Sequence, residues 1–266
     1  MLELADPPMP QIREPDQREI TRLCILAGQL LMQHGAESAL VEIVSKRLGS
    51  ALGLGEVEMS ITANALSLTT RRGGHCITTV RRTVDHGINM HVVTAVQHTV
   101  IQAENGHIDR AEIQRRLEAI RPYHYPKPLV AVMIGVSCAS FARLMGADWL
   151  SAALVFGASG VAMAARQVLA SWHFNPLVNF FATAFVATSL VGQGVKRGWS
   201  AHPDMVLAAC VLLLIPGFPL INAVSDMVKG YVNTGVARWT YAMLLIFASS
   251  MGIMLALTLW RIKGWT

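Results

Sequence analysis

An apolar run from Met205 to Val224 is long enough to cross a bilayer, yet it contains Pro-Gly-Phe-Pro at residues 216–219. Proline lacks an N–H and its ring clashes with the preceding turn, so two prolines this close break a regular helix. Backbone groups freed inside hydrocarbon cannot bond water, so protein or a wet cavity must cover them. The run therefore predicts either a broken helix beside a transport site or a kinked helix satisfied by its neighbours.

Charged residues divide the chain into two parts. Residues 1–128 hold 14 Lys/Arg and 14 Asp/Glu, whereas residues 129–266 hold 8 Lys/Arg and only three acids, Asp148, Asp204 and Asp226. We therefore expect an α+β cytoplasmic domain followed by an α-helical polytopic membrane domain. The net charge of +5 comes entirely from the second part. That distribution fits cations flanking membrane lipid and argues against a nucleic-acid partner.

Five apolar segments follow one another in the second part, each near or above the length of a spanning helix. They cover about residues 129–147, 149–170, 177–195, 205–225 and 239–260. We therefore predict five transmembrane helices. Prolines at 122, 126 and 128 form a stiff linker before the first of them. This linker places the domain boundary after residue 128, with the membrane domain covering residues 129–266.

The N-terminal part carries no signal-peptide pattern. Its first apolar periodicity, from Ile20 to Met32, is interrupted by Arg22 and Gln29. A domain without an export signal should stay in the cytoplasm, and the Lys/Arg distribution over the predicted loops favours the same side. We predict a multi-pass protein of a bacterial inner membrane with a cytoplasmic N-terminal domain. The four cysteines lack paired spacing and are expected to be reduced.

Helical and extended patterns alternate within residues 1–128. Apolar spacing predicts helices over residues 17–33, 37–52, 87–105 and 109–121, and short strands over residues 57–62, 65–70 and 76–82. Residues 71–74, Arg-Arg-Gly-Gly, predict a turn between the last two strands. Asp109 is a candidate N-cap for the last helix of the domain.

The segment His34-Gly35-Ala36-Glu37-Ser38 combines residue types found in hydrolases. It lacks the Gly-flanked nucleophile between a strand and a helix, so a loop before a helix explains it as well and no catalytic residue is assigned. His91 and His98 share a helical face without a carboxylate at ligand spacing, so no metal or cofactor is predicted. The arginine pairs at 71–72 and 81–82 indicate a solvated basic face, with contact to anionic lipid or substrate left open.

Several ordered sequence blocks resemble the threonine/serine exporter family, and in particular its split, two-component branch. The matching blocks are residues 33–42 (QHGAESALVE), 47–49 (RLG), 85–93 (DHGINMHVV), 211–226 (VLLLIPGFPLINAVSD) and matching positions within 229–239. The resemblance extends from about Thr21 to Trp265. It implies a cytoplasmic α/β domain, five membrane helices and a second, smaller polytopic membrane subunit. Fused members export threonine and serine, whereas the split branch is associated with succinate and related dicarboxylates.

The break and the residues after it form the predicted substrate path. A helix that restarts after Pro219 would present N–H groups with partial positive charge to a substrate carboxylate. Asn222 and Asp226 share one face of that helix, where Asn222 could bond substrate. Asp226 could exchange a proton, hold an ammonium, or be an interfacial helix-end residue. Arg143 could pair with a second carboxylate, whereas Arg166 is expected to reach lipid headgroups. The predicted path consists of Pro216, Gly217, Pro219, Asn222, Asp226 and Arg143.

These patterns predict a subunit of a heteromeric exporter of small carboxylates, most simply succinate or related dicarboxylates, rather than an enzyme. Three alternatives stay open: one half of a threonine/serine exporter, a membrane-tethered hydrolase, and a membrane-anchored sensor or scaffold. Homo-oligomerisation of the chain is also open, because packed half-sites commonly repeat by symmetry.

Overall fold

The computed structural model describes residues 14–261, which are mostly helical with one small sheet. Residues 1–13 and 262–266, including the predicted end of the family resemblance at Trp265, lie outside the described residues. The chain separates into two compact units. Unit 1 comprises Met1–Tyr123 and Ile221–Arg238, and unit 2 comprises His124–Leu220 and Trp239–Thr266. Residues 221–238 therefore pack with the N-terminal part. The boundary between a cytoplasmic and a membrane domain after residue 128 stays a prediction.

Unit 1 is built from four helices and an antiparallel sheet that precede residue 124, together with the returning segment 221–238. The elements are α1 (Glu14–Gln33), α2 (Ser38–Ala51), β1 (Glu56–Ile61), β2 (Ala65–Arg72), β3 (His75–Arg82), α3 (Met90–Glu104) and α4 (Arg110–Ala119). The central strand β2 pairs with both neighbours, and Leu68 lies opposite Met59 and Thr79. The three predicted strands are confirmed, as is the N-cap at Asp109, whose side chain accepts from the Glu112 N–H at 2.9 Å.

The core of unit 1 lies between the sheet and helices α1, α2 and α3. Alternate residues of β2, such as Leu66 and Leu68, are fully buried, and Val41 and Leu48 of α2 meet them in the same core. Two helix starts in this unit differ from the prediction by three residues, since α1 begins at Glu14 rather than Gln17 and α3 at Met90 rather than Gly87. Gly87 takes a φ of +84°, which glycine adopts at little cost, so the chain turns before the helix starts.

Unit 2 contains the long apolar helices. They are α5 (Lys127–Leu144), α6 (Trp149–Ser171), α7 (Pro176–Lys196) and α8 (Pro203–Val211), followed by a 3-10 turn (Leu212–Leu214), α9 (Gly217–Val228) and α10 (Val232–Trp260). The last two helices are divided between the units, because residues 221–238 belong to unit 1. Within the described residues, four helices are long and apolar enough to cross a membrane. The number rises to five if Pro203–Leu214 and Gly217–Val228 form one bent span.

The predicted break in the fourth segment is confirmed, with a bend of 63° between its two halves. The second half starts earlier than expected, at Gly217 instead of after Pro219. Pro219 fits there because the first turn of a helix leaves its N–H groups unpaired, so a missing N–H costs little. The first helical bond of this turn runs from the Leu220 N–H to the Pro216 carbonyl at 3.1 Å.

Candidate functional site

The loop between α1 and α2 is fixed by its own backbone and by the segment before α3. Gly35 takes a φ of +87°, and the Ala36 N–H returns to the Leu31 carbonyl at 3.0 Å, which closes the end of α1. The N–H groups of His86 and Asn89 donate to the carbonyls of Gln33 and His34 at 2.9 and 3.1 Å. Two of the blocks that resemble the exporter family therefore meet at this loop.

Asp226 of α9 is bound to the start of α2. Its side chain is fully buried, and its two oxygens accept from the Ser38 N–H at 2.8 Å and the Ser38 hydroxyl at 2.9 Å. Arg238 of α10 donates to the same carboxylate at 2.9 Å and to the Ala36 carbonyl at 3.0 Å. We call Ser38, Asp226 and Arg238 the anchor. It joins the first block of the family resemblance to the last two.

The anchor uses the electrostatics of a helix end. Ser38 is the first residue of α2, and the preceding Glu37 makes no capping bond with its own side chain. The unpaired N–H groups of a helix start carry partial positive charge and favour a carboxylate. Asp226 supplies that carboxylate from a position 188 residues further along the chain. Arg238 then neutralises the buried charge.

Further polar contacts surround the anchor. The Asn222 amide donates to the Gly35 carbonyl at 2.8 Å, and Glu37 accepts from Lys229 at 2.6 Å and from Ser225 at 2.7 Å. The bonds from Lys229 and then Ser225 lower the pKa of Glu37 below its ordinary value, so this carboxyl is ionised at neutral pH. The Tyr231 hydroxyl donates to Glu42.

Tyr231 is protonated at neutral pH. Burial, followed by the bond to Glu42, raises its pKa to about 12. It can therefore act only as a hydrogen-bond donor to this carboxylate at physiological pH.

The structure divides the predicted path residues between the units. Asn222 and Asp226 lie in unit 1, where Asn222 bonds the α1–α2 loop and Asp226 bonds the start of α2. Pro216, Gly217 and Pro219 lie in unit 2 at the start of α9. Arg143 lies in the last turn of α5, donates to the Ala147 carbonyl and stacks 4.3 Å from the Trp149 ring centroid. Their joint role in one path stays a prediction.

Ser38, Arg238 and the contact between Tyr231 and Glu42 were not predicted from the sequence as parts of this site. Arg238 could have been predicted, because it directly precedes the fifth apolar segment, where a cation favours an anionic partner, and Asp226 is 12 residues away. Ser38 was considered only within the segment 34–38 that combines residue types found in hydrolases. The contact between Tyr231 and Glu42 leaves no pattern in a single sequence.

The hydrolase interpretation receives no support from these contacts. Nδ1 of His34 bonds the Leu30 carbonyl at 2.8 Å, Glu37 bonds Lys229, and Ser38 bonds Asp226. The histidine and the serine therefore face different partners, whereas a nucleophile and its base must be hydrogen-bonded to each other. Within residues 14–261, no group of three His, Cys, Asp or Glu side chains is arranged to hold a metal ion.

Comparison with known proteins assigns the family. A family model described as "Putative threonine/serine exporter" matches residues 22–260. The chain belongs to this family. Two similar proteins, from Escherichia coli K12 and Klebsiella aerogenes, are both named "Probable succinate transporter subunit YjjP". The first is 52% identical over 94% of this chain and 98% of its own length, and the second 49% identical over 96% and 99%.

A more distant relative is a longer protein than this chain. The "Threonine/serine exporter" of Corynebacterium glutamicum is 21% identical over 96% of this chain, which covers 55% of that protein. No solved structure matches the chain. The family and the names of these relatives indicate a transporter subunit rather than an enzyme.

Proposed function

We propose that this chain is one subunit of a heteromeric exporter of small carboxylates, with succinate or a related dicarboxylate as substrate. The observation that carries the proposal is the 52% identity, over nearly the whole length of both chains, to a protein named as a succinate transporter subunit. That name also implies a partner protein. We infer that the partner is a smaller polytopic membrane protein that supplies the remaining helices of the path.

The same proposal places the protein in the bacterial inner membrane with its N-terminal unit in the cytoplasm. Its support is the charge balance of residues 1–128 and the apolar helices that follow them. A cytoplasmic unit 1 would expose the anchor region to the compartment that supplies the substrate.

Deleting the gene for this chain should lower succinate efflux from cells that accumulate succinate, and restoring the gene should recover it. The name of the Corynebacterium glutamicum relative suggests threonine/serine export as a second candidate function. Efflux of threonine and serine should therefore be measured in the same cells. A loss confined to the amino acids would favour that candidate. Unchanged efflux of every substrate would refute the exporter.

We further propose that the break and α9 line the substrate path, through Pro216, Gly217, Pro219, Asn222 and Asp226, and that Arg143 pairs with a second carboxylate of the substrate. In the described conformation both carboxylate oxygens of Asp226 accept hydrogen bonds, and the side chain is fully buried. A substrate group can therefore reach this carboxylate only when the contacts around it open. This requirement would couple substrate binding at Asp226 to opening of the anchor.

Asn222→Ala is expected to reduce succinate export severalfold while leaving the amount of protein in the membrane unchanged. The change removes one amide donor to a backbone carbonyl, a bond worth about 1 kcal/mol, and leaves the anchor in place. Export and membrane content should be measured in parallel, with Ser225→Ala, which removes a bond to Glu37 one helical turn away, as the matched control. Equal export by the two variants would remove Asn222 from the path.

A further inference from the structure

Arg166 is a cation in a membrane helix, and no acid among residues 14–261 is paired with it. It lies in α6, five residues before the helix ends at Ser171, and its side chain is half-buried. The guanidinium carbon lies 4.3 Å from the centroid of the Phe180 ring. Throughout the described range 14–261, no hydrogen bond or ion pair joins this guanidinium to another group. A charge in this position is costly unless an anion accompanies it.

The acids of the membrane part are engaged elsewhere or lie at the opposite end of unit 2. Asp148 caps the start of α6, about 27 Å from Arg166 at 1.5 Å per residue. Asp204 lies in the first turn of α8, and Ser200 just before that helix is 2.7 Å from Ser151 in the first turn of α6. Asp204 therefore lies near the same end as Asp148. Asp226 belongs to unit 1 and is paired with Arg238.

The surroundings of Arg166 connect it to the break. Phe180 belongs to a small core cluster with Leu214 and Leu245. Leu214 ends the 3-10 turn directly before Ile215 and Pro216. Phe180, which stacks on the Arg166 guanidinium, therefore packs in the same cluster as Leu214, just before the break.

A second unsatisfied polar group lies next to Phe180. The amide nitrogen of Asn179 donates to the Phe174 carbonyl at 3.3 Å, but its Oδ1 is buried and has no hydrogen-bond partner. A buried acceptor without a donor costs about 1–3 kcal/mol. Counting only partners in the described part of the chain, Arg166 is thus a cation without an anion, and Asn179 is an acceptor without a donor.

We propose that Arg166 binds a carboxylate of the transported acid where the substrate passes the break, an inference that rests on the proposed function. The planar guanidinium matches a carboxylate with two parallel N–H bonds, and stacking on Phe180 holds its plane. The same cation would also suit a phospholipid phosphate, so the experiment must separate the two anions.

Succinate efflux should be measured as a function of internal succinate in cells carrying wild-type protein, Arg166→Gln or Arg166→Lys. Arg166→Gln is expected to raise KM about tenfold or more, because a hydrogen-bonded charge pair is lost, and Arg166→Lys should recover part of it. Arg197→Gln is the matched control, since Arg197 stacks on Trp199 at the other end of α7 and should leave KM unchanged. Normal wild-type export with unchanged KM in Arg166→Gln would overturn this assignment and leave the exporter intact. If wild-type protein adds no succinate export to cells that lack it, the proposed exporter function itself is refuted.

A second measurement needs no variant and identifies the anion. In the purified wild-type complex, succinate should protect Arg166 from modification by phenylglyoxal, as read by mass spectrometry, while Arg197 stays reactive. Protection by added phospholipid and not by succinate would show that a lipid phosphate occupies the position, and would overturn the proposal. Protection of Arg166 but not of Arg197 by succinate would support the proposal even if the Arg166 variants fail to accumulate.

Discussion

Replacing Asp226 by alanine is expected to destabilise unit 1 by about 3 kcal/mol, because it leaves the mostly buried Arg238 without its counter-charge. The Asp226 side chain is fully buried and the Arg238 side chain is only 18% exposed, so water can replace the lost partner only in part. The variant also removes the acceptor of both Ser38 donors at the start of α2. The expected result is faster proteolysis of residues 14–123 and a lower melting temperature of the purified protein in detergent.

The nearby pair of Lys229 and Glu37 is the matched control. Its side chains are 45% and 29% exposed, so Lys229→Ala should cost about 0.2–1 kcal/mol. The double variant Asp226→Ala with Arg238→Leu should be less destabilised than the sum of the two single changes, because neither charge is then left alone. Equal melting temperatures for Asp226→Ala and Lys229→Ala would contradict a structural role for the anchor.

Gly235→Ala is expected to destabilise the hairpin of α9 and α10 by about 1–3 kcal/mol through overpacking. A Cβ at this position would lie 2.7 Å from the Ala223 carbonyl oxygen and 2.9 Å from the Met227 backbone nitrogen. Backbone atoms cannot move aside as a flexible side chain can, so the two helices must separate. Since Arg238 follows one turn later on α10, its bond to Asp226 should lengthen as well.

Gly157→Ala provides the comparison, because no atom lies within 4 Å of a Cβ built there. This change should be neutral or stabilising by up to about 1 kcal/mol, as alanine favours a helix more than glycine does. Melting temperatures of the two purified variants measure the difference. A Gly235→Ala protein as stable as Gly157→Ala would show that α9 and α10 do not pack this closely.

The elements that follow from local chemistry were predictable. A proline at 216 interrupts the helix of the fourth segment, and the alternation in residues 65–70 specifies a strand with one buried face. The errors were local too. The apolar spacing predicts a helix from Gly87, whereas Asn89 caps α3, and it predicts a restart of α9 after Pro219, whereas proline is tolerated in a first turn.

The anchor was beyond reach for a different reason. Ser38 and Asp226 are 188 residues apart, and nothing in either local pattern says that a helix start in the charged part will bind an acid from an apolar segment. That pairing depends on how the chain returns after α9, which is a property of tertiary packing. The sequence alone shows only that an acid such as Asp226, if buried, needs a cationic partner.

The cysteines of this chain have a practical consequence for membrane topology. Cys76 on β3 is exposed, whereas Cys24, Cys138 and Cys210 are buried. Burial raises the pKa of Cys24 to about 12, so that thiol remains protonated and unreactive at neutral pH. A maleimide that cannot cross membranes would find one accessible sulfur in the folded protein. The native sequence therefore carries its own sidedness marker, and comparing intact cells with inverted vesicles would show which compartment β3 faces.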